Sequence, residues 1–423
     1  MGAEASASIG LMETTMWLLG SVCSATAAGF YVQVSHQLGF NDPARARNTL
    51  RQGIMSVLVV SALIGLVSLA VSPFLPTWLG GNSHITPTAS AYFAIVATAL
   101  PIFQFSIFGA GMLRSSGNMI VPSVMSVVMM SLDVVFNFFL IFPTRPVELF
   151  GTQIMMPGMG LGVVGAAIGT VSAELVAASI TMYILCFRSK ELSLRIDTGR
   201  FLPTWGVVKR ALHISLPMGL QQTIMCSAYV MTTIIIAPLG TFAIAANSFG
   251  IIIESLCYMP GYGIADAATT LVGQSMGAGR HELMKRFAWL SVGLGVTVMA
   301  VMGVVMYVGA PTAMAMMTPA EEVRRLGVEV LRIEAFAEPM FAAAIVSYGV
   351  FVGAAKTLVP SIMNLISIWG VRISLAAMLA PSMGLRGVWI AMCIELCFRG
   401  FIFLVKLKFW NIQNSCKHYG KDQ

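Results

Sequence analysis

The chain has 423 residues, 57% of them hydrophobic and only 10% charged, with a formal net charge of +7 at pH 7. So little charge cannot cover a soluble globule with polar surface, which leaves an all-α polytopic membrane protein as the fold class. The positive balance does not call for nucleic acid, because Lys and Arg gather in alternate inter-helix segments as they do on the cytoplasmic side of membrane proteins.

A helix needs about 20 apolar residues to cross the hydrocarbon core, and eleven stretches qualify. In chain order they are 7–34, 52–71, 89–113, 119–142, 161–187, 212–238, 242–272, 288–308, 328–351, 359–380 and 385–405. The first has no charged flank or short apolar core of a cleaved signal peptide and is read as a helix. Eighteen of the 25 basic residues fall in one set of alternating loops, among them Arg45, Arg47, Arg51, Arg188 to Arg210, Arg280, Lys285, Lys406 and Lys408. The other set holds only Arg145, Arg324, Arg325 and Arg386. This distribution predicts a cytoplasmic C-terminus in a multi-pass protein of the plasma or inner membrane.

Sliding the chain on itself by 238 residues exposes an internal repeat. Gly39 in VSHQLGFND falls on Gly277 in LVGQSMGAGR, Pro101 in ALPIF on Pro339 in AEPMF, Gly111 on Gly349, and Pro122 in IVPSVM on Pro360 in LVPSIM. Farther on the shift falls to about 225, as GVVGAA from Gly162 meets GVWIAM from Gly387, with the difference placed in the outer loop 143–158. Matching basic loops on one side make this a parallel repeat, the kind whose substrate site lies near the midplane. Two pseudo-symmetric helical lobes are expected: residues 1–187 with five transmembrane helices and 212–408 with six. A basic cytoplasmic linker, 188–211, joins them, and 409–423 form a cytoplasmic tail. GTFAIAANSFG from Gly240 resembles GAEASASIG from Gly2, and in the second lobe a complete helix precedes it. The repeat therefore predicts a helix upstream of Met1. Without one, Ala5, Ala7, Ala25, Ala27, Ala28 and Gly29 are expected to lack packing partners.

Seven scattered cysteines and five histidines offer no metal-ligand spacing, so no metal site is expected beyond a coupling Na+. No phosphate-cradling loop, nucleophile elbow or catalytic dyad occurs, which argues against an enzyme and against ATP as the direct energy source.

LVGQSMGAGR, ESLCYMPGYGIADAATTLVGQ from Glu254, LRSSGNMIVPS from Leu113 and GVVGAA together resemble the multidrug and toxic compound extrusion (MATE) transporters. The likeness spans the whole chain and is sharper in its second half. It implies twelve helices in two six-helix lobes, here short of the first, and exchange of Na+ or H+ for organic cations by alternating access without ATP. The partners implied are a cationic small molecule and the lipid bilayer, with no cofactor beyond the coupling ion, no nucleic acid, and a monomeric chain.

Ionisable side chains inside a membrane persist only with a partner, a cavity or a task, since they cost about 2.5 to 3.5 kcal/mol at a helix centre. Glu254 lies on one face with Asn247, one turn before Tyr258, and Pro260 then frees a carbonyl and is expected to bend the helix. Glu338 precedes Pro339 in LRIEAFAEPMF and has Leu100 as its repeat counterpart, so the acid is specific to the second lobe. Glu334, one turn earlier, is expected near the outer interface and solvated. Asp266 is twelve residues past Glu254 and points about 120° away. In the first lobe Asp133 and Asn137 share a face, a pair that suits hydrogen-bonded packing as well as ion binding. Pro101 is a further candidate kink. Glu395 and Arg399 have the spacing of an intrahelical ion pair, Arg372 needs an anion such as Glu338 or Glu395, and Gln221 and Gln222 are placed to line a cavity. Glu13 and Glu174 have undistinguished neighbourhoods.

The candidate cation and substrate residues are thus Glu254, Glu338, Asp266, Asn247, Tyr258, Gln222, Asp133 and Asn137. Two rival functions stay open. A flippase for lipid-linked saccharides wants a cationic central cavity, and a truncated, non-transporting protein would follow from a missing helix.

Overall fold

In hydrocarbon every backbone N–H and C=O must be satisfied within the chain, and the sequence answers almost entirely with helices. The computed structural model describes residues 3–80, 84–149 and 152–410. Its helices are α1 (Ala3–Gly39), α2 (Pro43–Val71), α3 (Leu75–Trp78), α4 (Thr86–Thr98), α5 (Leu100–Ser115), α6 (Ile120–Ile141), α7 (Gly162–Tyr183), α8 (Trp205–Ile236), α9 (Thr241–Gly277), α10 (His281–Met317), α11 (Glu321–Glu334), α12 (Glu338–Gly353), α13 (Leu358–Ile366), α14 (Ser374–Met383) and α15 (Leu385–Lys408). Wider π-helical turns at Ile184–Arg188 and Ser367–Ile373 extend α7 and join α13 to α14. Among the described residues nine helices are long and apolar enough to cross a membrane, or up to eleven if two bent pairs each count as one span. Every stretch expected to span falls on one of these. The tail beyond Trp410 lies outside the described residues.

One non-helical element interrupts the pattern. Residues of the expected outer loop form an antiparallel hairpin, β1 (Pro143–Leu149) with β2 (Thr152–Met159), whose register slips between Pro143 and Arg145. Clear of the spans, this segment can pair strand to strand.

The repeat predicted from sequence has a structural echo. The bent pairs are α4 with α5, at 47°, and α11 with α12, at 59°. Pro101 and Pro339 stand in the first turns of α5 and α12, where a missing N–H costs nothing. The chain thus breaks at the same point of each copy. Pro260, by contrast, lies inside α9, which runs through it.

The chain divides into two compact units, one of Met1–Val34 with Asp42–Ser215 and the other of Ser35–Asn41 with Leu216–Gln423. In the first, Phe30 meets Phe108 edge to face with ring centroids 6.4 Å apart, and Gly53 supplies the notch that admits the Phe108 ring. Ala25, Ala27, Ala28 and Gly29, expected to lack partners, are buried; Gly29 packs against the Ala211 backbone so closely that a Cβ would meet its carbonyl oxygen at 2.6 Å. The side chains of Ala5 and Ala7 lie outside the described residues. In the second unit the last turn of α1 is fastened by Ser35 Oγ, which donates to the Thr270 carbonyl at 3.2 Å, and by His36 Nε2, 2.7 Å from the Gly353 carbonyl. Gly39 and Gly277, partners under the repeat, both lie against backbone of the facing helix end, where any side chain would collide.

The basic stretch after α7 is strapped to the start of α2 within the first unit. Asp197 accepts from Arg47 Nε at 2.8 Å and from Arg51 Nη2 at 2.8 Å, and lies 2.7 Å from Arg47 Nη2. Gln52 Oε1 accepts from both the backbone N–H and the hydroxyl of Thr204, each at 2.9 Å. Hydrogen bonds from Arg47 and Arg51 hold the Asp197 carboxyl below its ordinary range. A depressed carboxylate stabilises the fold above its unfolded-state pKa, and that contribution is lost as pH falls through the folded value. Asp197→Asn is expected to lower stability by about 2 kcal/mol near neutral pH, because two buried guanidiniums lose a charged acceptor. Thermal denaturation of the detergent-solubilised protein checks this: the gap between wild type and variant should close as the pH is lowered. A gap of equal size at all pH values contradicts the ion-pair account.

Candidate functional site

The second unit gathers six charged side chains, five of them buried and delivered by the buried stripes of helices and the sixth, Arg372, half-buried. On α9 the buried positions Ala243, Ala246, Gly250, Glu254, Cys257, Gly261 and Ala265 follow a three-or-four-residue spacing. Small residues there let neighbouring helices approach, as Gly250 does for the Trp389 ring and Gly261 for Met299, and Glu254 is the one acid in the stripe. The α11 stripe of Val323, Gly327, Val330, Leu331 and Glu334 ends in an acid. Glu338 then opens α12 just past the 59° bend. Glu395 and Arg399 come from α15, and Arg372 from the π-helical turn Ser367–Ile373.

Burial is nearly complete for the acids: Glu254 is 6% exposed, Glu334 and Glu338 1%, and Glu395 0%. Glu334 is therefore not solvated at an interface, as its place near a helix end had suggested; its spacing from Val330 and Val323 turns it inward. Glu254 interacts electrostatically with Arg372 and Arg399, Glu338 with Glu254, and Glu334 with Glu254, Glu338, Arg372 and Glu395. The six act as one electrostatic group.

Its members divide sharply by how they are satisfied. Glu395 accepts from Arg399 Nε and Nη2, both at 2.7 Å, and from Ser367 Oγ at 2.5 Å. The Arg399 guanidinium also lies 5.8 Å from the centre of the Phe341 ring. This is the intrahelical pair its spacing predicts. Arg372 does not pair with Glu338 or Glu395 as expected; its Nη2 donates to Met392 Sδ and its Nε is buried without a partner. Both oxygens of Glu338, and Oε2 of Glu334, are buried with no hydrogen-bond partner.

With Glu395 neutralised by Arg399 and one further carboxylate offset by Arg372, the described residues supply no counter-charge for two acids in this interior. Taking an ion out of water costs several kcal/mol even after relaxation, and a missing partner leaves that cost standing. Such a group is stabilised when a proton or a cation neutralises it.

Of the residues selected from sequence, Tyr258 joins this group. Its ring centroid is 5.5 Å from that of Phe341 and 5.7 Å from that of Tyr262, and it interacts electrostatically with Glu254 and Glu338. Asn247 is engaged by Trp389, whose Nε1 donates to Asn247 Oδ1 at 3.0 Å. Gln222 is half-buried, whereas its neighbour Gln221 is 6% exposed with Oε1 unpartnered. Asp266 is half-buried roughly 18 Å along α9 from Glu254. Asp133 and Asn137 lie in the first unit, each with a buried Oδ1 lacking a partner. Asp133 there interacts electrostatically with Glu174, which is 6% exposed and hydrogen-bonds Ser106. Among the described residues no three His, Cys, Asp or Glu side chains gather closely enough to hold a metal ion.

Comparison with known proteins places this geometry in context. The family model MatE matches residues 1–139 and 217–378. A probable multidrug resistance protein NorM of Thermotoga maritima is 26% identical over 411 residues, covering 95% of this chain and 84% of its own. The NorM protein of Chromobacterium violaceum is 27% identical over 398 residues, covering 92% and 82%. Among solved structures, a MATE protein in its straight conformation superposes with a TM-score of 0.88 at 19% identity, over 99% of this chain and 90% of that one. An outward-facing multidrug resistance transporter of the same family gives 0.87 at 19% identity, over 99% and 90%. The helical repeat, the family match and the shared fold converge: the chain belongs to the MATE family of membrane transporters.

Proposed function

We propose that the protein is a secondary antiporter that exports organic cations, drugs among them, in exchange for Na+ or H+. The observation that carries this reading is the group of buried carboxylates in the second unit, with two more acids than bases and with Glu338 lacking a hydrogen-bond partner. Glu254 and Glu338 take either the coupling ion or the cationic substrate, and the two occupancies exclude each other. A difference in affinity between inward-open and outward-open states then couples the movements. Tyr258, Tyr262 and Phe341 offer aromatic faces that attract an organic cation. The multidrug resistance role of the NorM relatives supports the substrate class, and the loop distribution of Lys and Arg supports a cytoplasmic C-terminus. An excess of buried acid disfavours a flippase for pyrophosphate-linked substrates, which needs the opposite charge.

Reconstitution tests the proposal. Proteoliposomes loaded with ethidium should release it when a Na+ or an inward H+ gradient is imposed and retain it when neither is present. Release that ignores both gradients contradicts ion-coupled exchange.

A further inference from the structure

The spans α10 and α15 bring together, at the start of one and the end of the other, a cavity of about 200 Å³ lined by Lys285, Ala288, Trp289, Leu407, Lys408 and Trp410. Lys285 and Trp289 are one turn apart on α10, so ammonium and indole share a face. Ala288 and Leu407, both buried, form apolar walls. Trp410 is braced by Phe351, with ring centroids 5.2 Å apart.

Three features point to a ligand. Lys285 and Lys408, both exposed, line one small cavity to which no carboxylate among the described residues contributes, and a site with two positive side chains and no acid attracts an anion. Lysine in the last turn of α15 has a local task, since Lys406 and Lys408 both oppose the helix dipole there. Lys285 comes from the first turns of α10, where the dipole favours an anion, so it has no such helix-end task; beyond the general gathering of basic residues on this side, what is particular to it is that it lines the same cavity as Lys408. Finally, the ends of two spans lie at a membrane–water boundary, where tryptophan is favoured because its ring is apolar on one side and donates on the other. The volume is below the roughly 300 to 1,000 Å³ of sites for drug-sized molecules, so a transported drug is a poor fit.

We propose that this cavity binds the phosphate headgroup of an anionic phospholipid. Lys285 and Lys408 hold the phosphate as paired point charges, Trp289 and Trp410 flank the glycerol region, and Ala288 with Leu407 meet the first acyl carbons. With the sidedness proposed above, the lipid belongs to the cytoplasmic leaflet; the site itself depends only on these six residues and not on what the protein transports.

Native mass spectrometry of the delipidated full-length protein, titrated with phosphatidylglycerol and with phosphatidylcholine of the same acyl chains, tests it. One phosphatidylglycerol should be retained in preference to phosphatidylcholine. Lys285→Gln with Lys408→Gln should weaken phosphatidylglycerol binding roughly 30-fold and leave phosphatidylcholine binding unchanged. If the double variant does not fold, Lys285→Gln alone should weaken it about fivefold. Lys406→Gln, on the same helix end but outside the cavity, should keep the preference. Equal retention of both lipids by wild type, an unchanged preference in the double variant, or an equal loss in Lys406→Gln would overturn the assignment. Displacement of the lipid by millimolar inorganic phosphate would overturn it too, in favour of a site for free phosphate.

Discussion

Replacing Glu254 and Glu338 together by glutamine is expected to cut gradient-driven ethidium release at least tenfold. Glutamine keeps the size and most of the hydrogen-bonding capacity of glutamate but can neither exchange a proton nor neutralise a cation. The stability of Glu338→Gln on its own separates this reading from a merely architectural one, since Glu254 also faces Arg372 and Arg399. Both Glu338 oxygens are buried without a partner, so the charge costs solvation and gains no bond; its removal should leave the thermal midpoint unchanged or higher. An acid that held helices together would show the reverse. Loss of transport at undiminished stability is the signature of a working carboxylate, and loss of both, or of neither, contradicts the assignment.

Glu395→Gln should behave in the opposite way. Glu395 is fully buried and satisfied by Arg399 and Ser367, and Arg399 is only 7% exposed. Removing the carboxylate strands a guanidinium in the interior, which costs about 3 to 5 kcal/mol for a buried pair. Removing both partners strands nothing, so Glu395→Leu with Arg399→Leu should recover much of the loss. Thermal denaturation of the three variants is the check. A single variant as stable as wild type would mean that water or Arg372 reaches Arg399, and that this pair is not the fixed frame around which Glu254 and Glu338 operate.

The contrast between these acids was only partly visible in the sequence. The spans are legible because membrane burial imposes runs of apolar residues, and the Glu395 and Arg399 pair because i,i+4 spacing is local. Local cues also misled. Nearness to a helix end suggests a solvated Glu334, yet the stripe Val323, Gly327, Val330, Leu331 and Glu334 is present in the residues themselves and marks it as buried. Arg372 lies in a π-helical turn, which shifts every later side chain around the axis and defeats reasoning from ideal spacing. Glu174 looked undistinguished because its companions Ser106 and Asp133 are distant in sequence. The choice between Gln221 and Gln222 likewise turns on helix rotation, which the residues alone do not fix. Residues 143–158 carry the signals of a loop, since their prolines and glycines mask a strand pattern that depends on pairing across the turn.

The central claim is that one group of buried carboxylates serves the organic cation and the coupling ion in turn. Equilibrium binding of radiolabelled tetraphenylphosphonium to the purified protein, measured as Na+ or H+ concentration is raised at constant ionic strength, tests it most directly. The account predicts that affinity falls in proportion as one of these ions rises, and that Glu254→Gln with Glu338→Gln removes the dependence. Affinity in the wild type that ignores both ions, or a dependence that survives in the double variant, would contradict it.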